Sequence, residues 1–292
     1  GQMGLPMASN LLAAGLKLVV FDANPKALEA IEALGAIIVD TPKAVGDQCE
    51  VVFVSLPTPA VVEAVAIGPG GIVEGEKVKA YVDLSTTGSV VACRVANGLA
   101  ERGVAALDCP VSGGERGAIK GSLALMAAGP KDLYDTLQPV LAHIGSQQFF
   151  VGEGVGAGQT LKLCNNFLSA ANNVAASEAM VAAVKGGLDA KVALDVINAS
   201  SGRNSATADK FEELVLTGAF TKSMKTRLLL KDLTLFTAEA EAMGVPAWMG
   251  SYVRQLLAYS VSQGMGDEPS VTMIKHWERW AGVEVREAGA PT

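Results

Sequence analysis

Short apolar runs alternate with stretches of helical periodicity through the first half of the chain. Leu18-Val19-Val20-Phe21 is continuously apolar and ends at Asp22, the pattern of a strand covered on both faces. Residues 51–56 repeat it and stop at Pro57-Thr58-Pro59, which a central strand cannot contain. Residues 80–84, 104–108, 123–127 and 148–151 read as further strands. Helical patterns separate them, for example over 25–34, where Gly35 takes the place a helix end favours. Strands alternating with helices predict βαβ units and a mostly parallel, doubly wound sheet.

The pattern changes near residue 152. Gly152, Gly154, Gly156 and Gly158 form a junction, and an Ala-rich helical stretch then runs to Lys185. After it come helical patterns at 191–199, 208–216, 225–243, 248–263 and 270–281, with no convincing strand. The expected fold class is therefore α/β plus all-α. A Rossmann-type doubly wound parallel sheet spans residues 1–153, and an all-helical domain for substrate binding and oligomerisation spans residues 154–292.

Composition narrows the function. Half the residues are apolar and 18% are charged, so the chain can bury enough surface to order itself. The net charge of −7 argues against nucleic acid or an anionic membrane as the main partner. Four cysteines without a CxxC pair, and two histidines, point to reduced thiols in the cytoplasm and to no metal site. No run of apolar residues is long enough for a transmembrane helix, and the first twenty residues lack a basic leader.

Gly1-Gln2-Met3-Gly4 precedes a helical pattern, and Asp22 closes the next strand. A dinucleotide-binding turn wants this order: glycines admit the pyrophosphate, helix amides bind it, and the acid binds the ribose hydroxyls. On that reading a first strand and the first glycine of the fingerprint are expected ahead of Gly1. Asp22 favours NAD, because a carboxylate repels the 2′-phosphate of NADP. A plain strand-to-helix turn, and a strand-end or capping aspartate, fit the same residues.

Two more patterns carry candidate chemistry. In Ser112-Gly113-Gly114 side-chain bulk vanishes, so successive amides and a hydroxyl can face a carboxylate; a tight loop with a capping serine is the alternative. Lys162 and Asn166 stand at i and i+4 on one face of an otherwise apolar helix, with Gln159 and Asn165 slightly off that face. A buried lysine there suits proton exchange with an alcohol, whereas a snorkelling lysine is the plainer account. Lys231 interrupts the apolar segment 228–233, and Arg203 lies in a polar loop.

The segment from Asp108-Cys109-Pro110 through Ser112-Gly113-Gly114 to Gly117-Ala118, followed by Gly121-Ser122-Leu123, resembles the β-hydroxyacid dehydrogenase family. That family includes 3-hydroxyisobutyrate dehydrogenase, tartronate semialdehyde reductase and, more distantly, 6-phosphogluconate dehydrogenase. Residues 1–10, 156–166 and Lys231-Asp232 extend the resemblance over nearly the whole chain. It implies an oxidoreductase that moves hydride between NAD and a short β-hydroxy acid or semialdehyde, with NADP the less favoured cofactor. It assigns Lys162 and Asn166 to catalysis and Ser112, Gly113 and Gly114 to the substrate. Gly1, Gln2, Met3, Gly4, Asp22, Leu56, Pro57, Thr86 and Lys231 fall to the cofactor. 3-Hydroxyisobutyrate is the first substrate choice; tartronate or succinic semialdehyde and glyoxylate are alternatives. A non-catalytic NAD-binding redox sensor is the alternative of another class. The resemblance also implies a homodimer or homotetramer. Substrate identity is expected to rest on side chains such as Arg203, Asn204, Lys210 and Phe211.

Overall fold

The computed structural model describes residues 1–221 and 224–290. The chain divides into two compact units, Gly1–Lys162 and Leu163–Thr292.

The first unit runs α1 (Gly4–Ala13), β1 (Val19–Val20), α2 (Pro25–Glu32), β2 (Ile37–Ile38), α3 (Pro42–Gln48), β3 (Val51–Val54), α4 (Pro59–Ile67) and β4 (Ala80–Asp83). It continues with α5 (Ser89–Ala100), β5 (Ala105–Asp108), β6 (Val111–Ser112), α6 (Gly114–Lys120), β7 (Ala124–Ala128), α7 (Lys131–Ile144) and β8 (Gln147–Gly152). Three of its helices start alike. Asn24, Thr41 and Thr58 each accept a first-turn amide through a side-chain oxygen, and a proline follows each one. Proline is preorganised for the first helical position and has no amide to leave unpaired there.

β1 and β2 pair in parallel as a ladder of their own, while β3, β4 and β5 form a parallel set. β7 pairs antiparallel with β5 and β6 and parallel with β8, so the sheet is mostly parallel, as expected, with its antiparallel pairings at β7. β2 and β6 escape the sequence reading because two residues are too few to show a period. All four β4 residues are buried, as a strand covered on both faces requires. One apolar layer gathers Val82, Leu107, Leu123, Leu125 and Leu141, and another gathers Val54, Val62, Tyr81 and Leu99.

Helix α8 (Ala157–Lys185) begins in the first unit and continues into the second. The division falls after Lys162 rather than at the glycine junction near residue 153, because the first turn of α8 is hydrogen-bonded to residues of the first unit, as detailed below. The second unit adds α9 (Ala190–Asn198), a π-helix (Ala206–Leu216), α10 (Thr226–Ala242), α11 (Trp248–Ser262) and α12 (Ile274–Ala281). Ala206, Phe211 and Leu216, five residues apart and each at most 1% exposed, show why the wider winding suits this segment. Among the described residues its one extended pairing is a single bridge between Lys225 and Pro269.

By length and composition α8 could cross a membrane, contrary to the sequence expectation (29 residues, mean hydropathy 1.2). Its apolar side chains instead enter two protein cores. Ala170 and Val174 pack with Leu229, Leu233 and Leu257, while Ala176, Met180 and Val181 pack with Leu194, Phe211 and Ile274.

Candidate active site

The parallel strands β3, β4 and β5 all end on one edge, and the following residues are tied to one another. The Leu56 amide donates to Ser85 Oγ at 2.9 Å, and the Ser85 amide donates to Asp83 Oδ1 at 2.8 Å. Gln159, fully buried in the first turn of α8, accepts from the Thr87 and Gly88 amides at 2.9 and 3.3 Å and donates to the Ser85 carbonyl at 3.1 Å. The loop carrying Thr86 is thus pinned by a side chain more than seventy residues away.

Asp108, the last residue of β5, fixes the start of α8. Its Oδ1 accepts from the Gly156 amide at 2.9 Å and its Oδ2 from the Gln159 amide at 2.8 Å. A carboxylate at a helix N-terminus satisfies orphan amides and complements the helix dipole. Burial nevertheless pushes the Asp108 carboxyl up to about 6; Asp83 adds to the rise, and the two amides oppose it. Gly158 is obligatory here, since a Cβ would run into the Met126 carbonyl and approach Asp108 Oδ2 to 2.8 Å.

This anchoring sets the register of α8. Lys162 follows Gln159 by three residues and is only 7% exposed. Asn166 is one turn further on the same face and equally buried. Its Nδ2 donates to Asp232 Oδ2 at 2.6 Å, and its Oδ1 accepts from Asn165 Nδ2 at 3.2 Å. Asp232, on α10, is fully buried, and its Oδ1 lies 3.0 Å from Lys231 Nζ in an ion pair without hydrogen-bond alignment.

Ser112 is half-buried at the end of β6, and Gly113 and Gly114 are exposed at the start of α6. Their φ values of 126° and 62° lie where side chains are strained, which explains the glycine pair. Gly1 and Gln2 are exposed, Met3 and Gly4 half-buried, and α1 starts with no side-chain cap and no acidic residue in its first turn. Asp22 follows β1; its Oδ1 accepts from the Asn24 amide at 2.8 Å, and its Oδ2 lies 3.4 Å from the Gly1 nitrogen. The glycine turn and the acid therefore meet. A turn rich in open amides beside a partly exposed carboxylate fits the pyrophosphate and ribose of a dinucleotide. Pro57 is exposed, Leu56 and Thr86 are half-buried, and Arg203 is exposed in its loop. Among the described residues no three His, Cys, Asp or Glu groups cluster to hold a metal.

Sequence reasoning missed Asp108, Gln159 and Asp232 as organising residues. A polar residue ending an apolar run marked Asp108, and adjacency to Lys231 marked Asp232, but only the fold supplies their partners.

Comparison with known proteins agrees with this architecture. Residues 1–152 match the model for the NAD binding domain of 6-phosphogluconate dehydrogenase. Residues 156–277 match the NAD-binding model of NADP-dependent 3-hydroxyisobutyrate dehydrogenase. The chain is 35% identical to 2-(hydroxymethyl)glutarate dehydrogenase of Eubacterium barkeri, over 98% of this chain and 95% of that protein. It is 35% identical to 3-hydroxyisobutyrate dehydrogenase of Pseudomonas aeruginosa, over 88% and 89%. Among solved structures, Mycobacterium tuberculosis 3-hydroxyisobutyrate dehydrogenase with L-serine superposes with a TM-score of 0.86 at 29% identity, covering 94% of this chain and 96% of that one.

Proposed function

The chain belongs to the β-hydroxyacid dehydrogenase family and is an NAD-dependent oxidoreductase acting on the CH–OH group of hydroxy acids, and on that footing we propose that Lys162 exchanges the proton of the substrate hydroxyl. The observation that carries this is a buried lysine one helical turn from an amide locked by a buried aspartate. In oxidation Lys162 Nζ, as the neutral amine, takes the carbinol proton; in reduction it returns it and stabilises the developing alkoxide. Asn166, oriented by Asp232, hydrogen-bonds the substrate beside it. The hydroxyl of Ser112 and the amides of Gly113 and Gly114 receive the substrate carboxylate, their bulk-free backbone leaving room for it. When bound, NAD supplies the hydride acceptor. Gly1, Gln2, Met3 and Gly4 would hold its pyrophosphate and Asp22 its ribose, with Leu56, Pro57, Thr86 and Lys231 as further contacts.

Among 3-hydroxypropanoates with an uncharged arm at C2, the first substrate choice is 3-hydroxyisobutyrate. The two relatives' names describe 3-hydroxypropanoates that differ only in the group at C2, which supports that class. A panel of C2-substituted 3-hydroxypropanoates, followed by NADH absorbance with NAD and NADP, tests the assignment. NADH formation that Lys162→Ala abolishes is expected; undiminished turnover by that variant removes the role.

The reading also places the chain in the cytoplasm as a homodimer or homotetramer. Four free thiols support the compartment, and Trp248, Met249 and Tyr252, each about half exposed or more on α11, support assembly. Sedimentation giving only a 30.0 kDa species would overturn the assembly.

A further inference from the structure

The polar stripe on α8 does not stop at Asn166. Ser169 and Asn173 follow at three and seven residues, so both continue the Asn166 face, and Asn173 is 1% exposed. Facing them is Lys210 from the π-helix. Its Nζ donates to Ser169 Oγ at 2.9 Å and to Asn173 Oδ1 at 3.3 Å. Both acceptors are neutral. Among the described residues Lys210 makes no ion pair; its chain neighbour Asp209 is exposed. Burial accordingly pulls the Lys210 amine below its ordinary value.

A second group in the cluster is also unsatisfied. Asn173 Nδ2 is buried and has no hydrogen-bond partner. An ammonium offers three donors and two are used. The third, both Asn173 amide hydrogens and the Ser169 hydroxyl make a cluster of donors without a negative acceptor. Such groups are costly to bury unless something completes them. Ser169 and Lys210 are only half-buried, which leaves a way in. The setting is also suggestive, since π-helical winding is concentrated at functional sites.

We propose that Lys210, Ser169 and Asn173 form a carboxylate-binding subsite for the arm at C2 of the substrate, which makes this chain selective for β-hydroxy acids bearing a second carboxylate. The assignment rests on the reading of Asn166 as a substrate contact. The rise from Asn166 to Ser169 is about 4.5 Å along the helix, the reach of a carboxymethyl or carboxyethyl arm. Lys210 supplies the charge, and Asn173 the directional donor.

The test compares three 3-hydroxypropanoates whose C2 arm is methyl, carboxymethyl or carboxamidomethyl. With the unaltered enzyme and NAD, kcat/KM for the carboxymethyl compound is expected to exceed that for its carboxamide by at least tenfold. Equal values, or a preference for the amide, overturn the proposal without any variant. In Lys210→Met the ratio of carboxymethyl to methyl kcat/KM should fall at least tenfold, mostly through KM; an unchanged ratio overturns it. If Lys210→Met fails to fold, Ser169→Ala is expected to lower the same ratio several-fold. Calorimetry with glutarate, which has no hydroxyl to oxidise, separates this proposal from the catalytic one. Glutarate binding lost in Lys210→Met upholds the subsite even if no hydroxy acid turns over, whereas turnover of hydroxy acids with unaltered glutarate binding in the variant refutes the subsite alone.

Discussion

The two units bury polar groups in different ways. In the first, Asp108, Asp83, Ser85 and Gln159 are buried, and each engages the backbone: Asp108 takes two amides, Asp83 and Ser85 take one each, and Gln159 ties two amides and a carbonyl. In the second, Ser177 donates to the Asn173 carbonyl, but the other groups around α8 engage one another's side chains: Asn166 with Asp232, Asp232 with Lys231, and Lys210 with Ser169 and Asn173. Backbone partners are fixed by the fold, so the first arrangement is a scaffold. Side-chain partners can exchange for a ligand, so the second can recognise one.

Three substitutions and one titration would break or sharpen that contrast. The largest effect is expected at Lys162, to which the proposed proton exchange is assigned. Lys162→Ala should lower kcat by roughly 10²–10⁴-fold, with the dissociation constant for NAD nearly unchanged; fluorescence titration beside steady-state kinetics separates the two quantities.

Asp108 tests how rigid the scaffold is. Its folded carboxyl titrates near 6, above the ordinary aspartate value. The charged form is therefore disfavoured in the native state, at a cost on the order of 3 kcal/mol that is present above pH 6. That cost disappears as the pH falls from about 6 towards 4, so this group favours the native state on acidification. Carboxyl carbon NMR should find one aspartate with a midpoint near 6, and a midpoint below the ordinary aspartate value would show that the amides outweigh burial.

Asp232→Ala attacks the side-chain network. It removes the carboxylate that accepts from Asn166 and pairs with Lys231, and we expect about 2 kcal/mol of lost stability in urea unfolding, less than for a fully buried pair because Lys231 is 20% exposed. Unchanged stability would make the network dispensable. The smallest change is expected for Asp22→Ala, in which relief of repulsion should narrow the preference for NAD over NADP by about tenfold; identical cofactor ratios before and after would detach Asp22 from the ribose.

Much of the fold was legible because its signals are local. Apolar runs located β3, β4, β5, β7 and β8, and helical periodicity located α9, α10 and α11 to within a residue or two. Lys162 and Asn166 were legible as a pair because helix spacing puts them on one face. Ser112-Gly113-Gly114 was legible because side-chain bulk disappears there. The groups that hold the site were not, since their partners are distant in sequence. Asp108 meets Gly156 across 48 residues, Gln159 meets Thr87 across 72, and Asn166 meets Asp232 across 66. Spacing arguments reach about two helical turns; those contacts exist only once the chain has folded. The two-residue strands β2 and β6, and the π-winding around Phe211, were hidden for a related reason: tertiary pairing and packing, not local period, create them.

Because Asp108 and Gly158 seat the start of α8, everything beyond is positioned like marks on a ruler, about 1.5 Å apart per residue. Exchanging side chains further along the rod leaves Lys162 where it was. A lineage could thereby acquire new foodstuffs by altering a handful of distal positions, while the reaction itself is inherited intact.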